Sequence, residues 1–274
     1  MSVVANTIGE TWLDIARDIL ALGHEGTYDG IAMREVLMAA LHVAQPASRD
    51  ELIELFAEPE RLAWMHANFT DPTRVAELGD AASYATRLYD YENRGLDQVA
   101  GVAKKLIDDP TSRHAAITTF QPLSDTTYIP CVSLLDLFIH GGRLSLSIYA
   151  HSIDFGAKGY GNLVELAHIQ EHVANVVGLA VGPLTMIVKS AHVYERNSTT
   201  YATCSGKPVA PNIYGRSLGG RNTAKGSVTN RVRSVNRWSV AGRPPEADGV
   251  AVTLVASMMW RRSNTRWRFV ADTS

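Results

Sequence analysis

Between Thr118 and Ile153 two runs rich in leucine, isoleucine and valine are separated by His140-Gly141-Gly142-Arg143. Paired glycines supply the positive φ of a tight hairpin turn, so the runs are expected to pair as antiparallel strands. This pairing sets Cys131 at the beginning of one strand and His151 to Asp154 at the end of the other. A helix is expected over Asn162 to Val177, because Val164, Ala167, Ile169, Val173 and Val177 share one side and Gly178 can cap it. Pro183 to Val193 then reads as a further strand, and the two-residue period puts His192 and Tyr194 on one face.

Towards the N-terminus, Trp12, Ile15, Ala16, Ile19 and Leu20 recur at helical spacing. Asn6 and Thr7 can cap this helix, and Gly23 with Gly26 can end it. Val36 to Val43 reads as a short strand ended by Pro46. Ser48-Arg49-Asp50-Glu51 then starts a helix through Ile53, Leu55 and Phe56. Leu96 to Leu106 is helical by its Val99, Val102, Ala103 and Leu106 spacing, and Pro110 ends it.

A chain of 274 residues with 46% hydrophobic content can bury one large core. Two cysteines offer no disulfide framework and suit a reducing compartment, so a cytoplasmic location is expected. The N-terminus carries Glu10, Asp14 and Asp18 in place of a basic segment and an apolar block, and no export or membrane signal is read. The net charge of −2 is unevenly divided. Residues 211–274 hold eleven Lys or Arg against Glu246, Asp248 and Asp272, a net of +8, which leaves −10 on residues 1–210. From Arg196 to about Ala247 the pattern is aperiodic. A first domain over residues 1–200 and a basic, loop-rich or poorly ordered region over 201–274 are therefore expected.

One ordered set of residues carries a resemblance. Asp97-Gln98-Val99 leads to Asp109-Pro110-Thr111-Ser112-Arg113, then Ile129-Pro130-Cys131, then Tyr149-Ala150-His151-Ser152-Ile153-Asp154. Gly161-Asn162 and Ala191-His192-Val193-Tyr194-Glu195 follow. In this order they resemble the thymidylate synthase family over roughly residues 84 to 195, with Ile129-Pro130-Cys131 as the most specific element. The resemblance implies an α/β (α+β) fold: a mixed, mainly antiparallel sheet flanked by helices, pairing sheet to sheet as a homodimer. It also implies transfer of a one-carbon unit from 5,10-methylenetetrahydrofolate to carbon 5 of a pyrimidine nucleotide.

The chemistry assigns expected roles. Carbon 5 of uracil is a poor nucleophile until a thiolate adds at carbon 6, and Cys131 is the candidate for that addition. Thiols are mostly protonated at neutral pH, so positive charge or hydrogen-bond donors are needed nearby, and Arg113 or Ser152 can supply them. The Asn162 carboxamide has both an acceptor and a donor for the imide edge of uracil. By the resemblance, Asp154 assists ring and folate chemistry, His192 and Tyr194 contact the sugar hydroxyl, and His151 and Ser152 stand in the phosphate-binding element. Tyr84 stands near proton removal from carbon 5, and Arg113 reaches the phosphate of the neighbouring subunit. Glu54 is taken as the general base, with Glu51 and Glu58 as alternatives. No metal ligands are expected.

Each assignment has a structural alternative. Cys131 can be an inert buried hydrophobe, Asn162 a helix cap, Asp154 a turn residue, and His192 and Tyr194 ordinary strand residues. Glu54 can lie on a solvated helix face, and Arg113 can be a surface residue after a turn.

The sequence also departs from the family pattern. Val132 replaces a histidine after the cysteine, and His114 and His151 replace two arginines. Histidine is only partly charged at neutral pH and lacks the bidentate fork of arginine, so phosphate recognition is expected to be weakened or altered. The family's closing tail is not recognisable. Methylation of deoxyuridylate leads, and hydroxymethylation of a uridine or cytidine monophosphate without reduction follows. A reading from another class is a catalytically impaired homologue that binds nucleotide or RNA through its basic tail.

Overall fold

The computed structural model describes residues 1–126 and 128–197. The boundary expected near residue 200, Cys204 and the arginine-rich tail lie outside the described residues. In chain order the elements are β1 (Ser2–Ala5), α1 (Ile8–Leu22), β2 (His24–Tyr28), β3 (Ile31–Val43), α2 (Glu51–Phe56), α3 (Pro59–Thr70), β4 (Arg74–Val75) and β5 (Ala81–Ala82). They continue with α4 (Tyr84–Tyr89), α5 (Gln98–Asp108), β6 (Ala116–Thr118), β7 (Val132–His140), β8 (Arg143–Asp154), α6 (Gly159–Val177) and β9 (Ala180–Tyr194).

Seven strands form one mixed sheet in the order β1-β3-β9-β8-β7-β6, with β2 also paired to β3. The β1–β3 and β8–β9 pairs are parallel, and the rest are antiparallel. A parallel pair needs a crossover, and α6 supplies it between β8 and β9. The β7–β8 hairpin turns at Gly141 and Gly142, both at positive φ, as a type I′ turn requires. The β4–β5 pair forms a separate two-stranded ribbon.

Alternation divides the sheet into two faces. Leu137, Leu146, Leu184 and Val43 lie in register across β7, β8, β9 and β3, as do Leu135, Ile148, Met186 and Leu41, and all eight are buried. These rows meet the apolar stripes of the helices, Trp12, Ile15 and Ile19 of α1 among them, in one core. The opposite face carries Leu134, Tyr149, Ile187 and Ala40 in another row, and Leu134 and Phe138 are exposed there.

Local signals start the helices. Thr7 accepts from the amide of Glu10 and the Glu10 carboxylate accepts from the amides of Asn6 and Thr7, a capping box worth about 1 kcal/mol. Asp50 caps α2 through the amides of Leu52 and Ile53, and its second oxygen accepts from Gly9 in the first turn of α1. That bond joins the two helix starts. A Cβ at Gly9 would lie 2.2 Å from the Asp50 carboxylate, so glycine is required there.

Two expectations need correction. Strand was read from Thr118 onward, but only Ala116–Thr118 pairs before the chain leaves the sheet and rejoins it at Val132. The strand read over Val36 to Val43 extends to Ile31–Val43, because β2 and β9 pair along the polar half that periodicity missed.

Candidate active site

The sheet changes face one step before its functional end. Met38 has φ +53°, and the ladder is interrupted at His151 in β8 and at Lys189 in β9, which share its row. Before this row the buried aliphatics are Ile148 and Ala150 in β8 and Met186 and Val188 in β9. Beyond it they are Ile153, and Ala191 and Val193. The two-residue period is thus reset, and Ile153, Ala191 and Val193 hold the strand ends. Ser152, Asp154, Ser190, His192 and Tyr194 then share the other parity, with Asp154 opposite His192 and Ser152 opposite Ser190.

Cys131 stands immediately before β7, half-buried and free. Its carbonyl accepts from the amide of His151 at 2.7 Å, and the next amide, of Val132, donates to the Tyr84 hydroxyl at 2.8 Å. Tyr84 starts α4 under the Ser83 cap and stacks on Phe69 with ring centroids 4.3 Å apart. The backbone around the thiol is therefore held from two sides.

Burial pushes the Cys131 thiol above its ordinary value. The positive charge of Lys158 and a hydrogen bond from the Tyr128 hydroxyl act in the opposite direction, and the Asp154 carboxylate adds to the rise. A free thiol already titrates above neutrality, so at pH 7 the resting group is neutral. Tyr84 and Tyr128 are raised by burial and by the neighbouring Cys131, and both stay protonated. Burial also raises Asp154, opposed by His192, the Gly156 amide, Lys158 and Arg61. Burial lowers His192 against the pull of Asp154, which leaves the imidazole neutral at pH 7. His192 Nδ1 is 3.4 Å from Ser190 Oγ, which donates to Glu35 at 2.5 Å.

Asn162 and His151 each carry a buried polar atom without a hydrogen-bond partner among the described residues. Asn162, 4% exposed on the first turn of α6, donates from Nδ2 to the Lys158 carbonyl at 3.1 Å, while its Oδ1 is unpaired. His151 Nε2 is likewise unpaired, and burial together with the charge of Lys189 lowers the imidazole. Unpaired buried polar atoms cost free energy, so both are open to a ligand's complementary groups.

The remaining sequence-predicted residues are not gathered around the thiol. Arg113 is exposed beyond the Ala116/Asp136 end of the β6–β7 ladder, while Cys131 abuts the other end. From Val132 to Asp136 alone spans about 13 Å of strand, which sets Arg113 and Cys131 towards opposite ends of the ladder. Glu54 is exposed, with its carboxylate 3.7 Å from Arg49, and Glu51 is exposed too. Glu58 is also exposed and accepts from Arg61 Nε at 2.6 Å; burial, with the Glu58 charge adding to it, raises Tyr160 to about 12, and Arg61 in turn acts on Asp154.

Sequence reasoning missed Tyr128, Lys158, Arg61 and Trp64, whose ring lies 4.9 Å from the Lys158 ammonium. None had a local signal, since loop and helix-end residues acquire their neighbours only through the fold. Arg87 was also given no role. Its guanidinium donates bidentately to Asp125 at 2.7 and 2.8 Å and to the Thr119 carbonyl at 2.7 Å, with the two side chains 1% and 6% exposed. This pair fastens the irregular segment that carries Tyr128 to α4. Removing one partner leaves a buried charge uncompensated. Asp125→Ala is expected to lower unfolding stability by about 3–5 kcal/mol in urea titrations. A loss under about 1 kcal/mol would show that the segment is held by other contacts.

A family model described as Thymidylate synthase matches residues 47–208. A protein of Methanothermobacter thermautotrophicus provisionally named thymidylate synthase is 29% identical over 212 residues, which cover 72% of this chain and 94% of that protein. One of Methanosarcina barkeri with the same provisional name is 30% identical over 203 residues, 71% of this chain and 90% of its own. The deoxyuridylate hydroxymethyltransferase of Bacillus phage SP01 is 36% identical over 105 residues, 36% of this chain and 27% of the phage protein.

Proposed function

The chain belongs to the thymidylate synthase family, and from that premise we propose that it methylates carbon 5 of deoxyuridylate, with Cys131 as the nucleophile and methylenetetrahydrofolate as the one-carbon donor. Membership makes it a methyl- or hydroxymethyltransferase. The observation that carries the finer reading is the setting of Cys131, a half-buried thiol among Tyr84, Tyr128, Lys158 and Asp154.

In this reading the Tyr128 hydroxyl and the Lys158 ammonium stabilise the thiolate that adds to carbon 6 of the ring. The electron pair displaced from the double bond makes carbon 5 nucleophilic. Asn162 Oδ1 accepts from the ring imide and its remaining Nδ2 proton donates to the adjacent carbonyl, a pattern that selects uracil over cytosine. His192 and Tyr194 receive the sugar hydroxyl, and Ser152 with His151 faces the phosphate. An anion beside the unpaired His151 Nε2 favours its protonation, which partly replaces the absent arginine charge. Tyr84 relays the proton from carbon 5. Of the three candidate acids Glu58 is assigned as the base that receives it, because Arg61, which donates to Glu58, also acts on Asp154.

The residues fit a reduced folate. Asp154 is a buried carboxylate able to accept from the amino and imide groups of a pterin, with Tyr160 and the Trp64 face close by. When bound, the folate supplies the one-carbon unit. Asp154, Tyr160 and Trp64 orient it and exclude water.

Arg113, towards the opposite end of the ladder from Cys131, supports a homodimer in which it acts on the partner's phosphate. The exposed Leu134 and Phe138 on the sheet face opposite the α1 core supply apolar area for such pairing.

A second reading rests on the likeness to the phage hydroxymethyltransferase. In it the product is 5-hydroxymethyl-deoxyuridylate and no reduction follows. Incubation with deoxyuridylate and methylenetetrahydrofolate separates the two by product mass and absorbance. The leading reading expects thymidylate with stoichiometric dihydrofolate, and a hydroxymethylated nucleotide with tetrahydrofolate would replace it by the second.

A further inference from the structure

We propose that His66, Glu165 and His168 form a site for a divalent transition-metal ion of the zinc type, which pins α3 to α6 outside the active site. Glu165 and His168 stand three residues apart on one face of α6, a spacing that projects a carboxylate and an imidazole in the same direction. His66 comes from α3. Its Nδ1 is 3.1 Å from Glu165 Oε1, and His168 Nδ1 is 3.4 Å from Oε2. One ligand atom from each residue lies within 4.8 Å of the others.

Two tetrahedral ligands bonded to zinc at about 2.1 Å are themselves about 3.4 Å apart, so the observed carboxylate to imidazole separations suit a shared ion. Two imidazoles and one carboxylate are also the donor set that zinc, cobalt(II) and nickel(II) accept. The Glu165 side chain is 6% exposed, while those of His66 and His168 are 58% and 41% exposed. A buried carboxylate is costly without a positive partner, and among the described residues the groups paired with Glu165 are the imidazoles of His66 and His168, with no lysine or arginine. An ion supplies that charge. The half-exposed imidazoles leave it a path in from solvent and room for bound water as further ligands.

The consequence is positional. Trp64, beside His66 on α3, packs against Lys158 at the start of α6, and Gly161 of α6 lies against Met65. An ion joining α3 to α6 therefore fixes the wall that carries Trp64 and Arg61 against Lys158 and Asn162.

Cobalt(II) is the direct probe, because its visible absorption reports ligand set and geometry. The chelator-treated full chain should bind one equivalent with a nitrogen- and oxygen-type spectrum lacking a thiolate band, and zinc should displace it and raise Tm. Glu165→Gln and His66→Ala should each weaken binding by about 100-fold or more. His66 is exposed, so its variant keeps the test meaningful if Glu165→Gln fails to fold. Cys131→Ser should bind as the wild type does. Absence of cobalt binding overturns the proposal, as does undiminished binding by His66→Ala or loss of binding with Cys131→Ser.

Discussion

Cys131→Ser is expected to retain the fold and lose turnover by about a thousandfold or more, because a hydroxyl is far less ionised than a thiol at neutral pH and adds poorly to carbon 6. Burial holds the Cys131 thiol above its ordinary value, and a serine hydroxyl in the same place starts from a still higher one. The bonds from the Val132 amide to the Tyr84 hydroxyl and from the His151 amide to the Cys131 carbonyl do not involve the sulfur, so thermal unfolding should change little. Steady-state assays of thymidylate formation check the first expectation and calorimetry the second. Turnover within tenfold of the wild type would remove Cys131 from the mechanism.

Asp154→Asn is expected to separate activity from stability. Turnover should fall by about 10²–10⁴-fold, the range lost when a positioned carboxylate is removed from an active site. Stability at pH 7 should rise. The folded carboxyl titrates above its ordinary value of 3.8, mainly through burial. Below about pH 4 the group is protonated in both states and contributes no difference. As pH rises through the ordinary value the unfolded chain ionises first, and stability falls until the folded carboxyl ionises as well. Asparagine carries no such cost, and its Oδ1 can still accept from the Gly156 amide at the 2.8 Å separation now seen. The variant should therefore gain a few degrees in Tm at pH 7, where about 1 kcal/mol is worth about 2–4 °C, and lose that gain by about pH 4. A Tm below the wild type at pH 7 would show that Lys158, Arg61 and His192 depend on the charge more than burial penalises it.

Where information was local, the sequence was a good guide to the fold. The Gly141-Gly142 turn, the cap at Thr7, the helix start within Ser48-Arg49-Asp50-Glu51 and the Gly178 stop all depend on residues within one turn of each other. Each was legible before any tertiary contact was known. The placement of the chain around Asp125 was not, because it is set by Arg87, 38 residues away. The ribbon of β4 and β5 and the short α4 are too brief to impose a period.

The candidate site divides in the same way. Residue order pointed to Cys131, Asp154, His192 and Asn162, and register brings Asp154 opposite His192 while the hairpin carries His151 back to Cys131. Lys158, Tyr128 and Arg61 act on these groups only through tertiary placement, and no spacing in the sequence encodes that. The choice among Glu51, Glu54 and Glu58 meets the same limit: a helix start is readable from its cap, but the side that faces a ligand is not. The basic tail, and with it the nucleic-acid reading, lies outside the described residues.

The claim on which the rest depends is that the Cys131 sulfur bonds to carbon 6 of a pyrimidine nucleotide while the one-carbon unit is attached at carbon 5. Fluorine at carbon 5 cannot leave as a proton does, so 5-fluoro-deoxyuridylate with methylenetetrahydrofolate should halt the reaction after both bonds have formed. Intact mass of the denatured chain should then rise by the sum of nucleotide and folate, and peptide mapping should place the added mass on Cys131. An unmodified chain after saturating incubation, or an adduct on any other residue, would contradict the proposed mechanism.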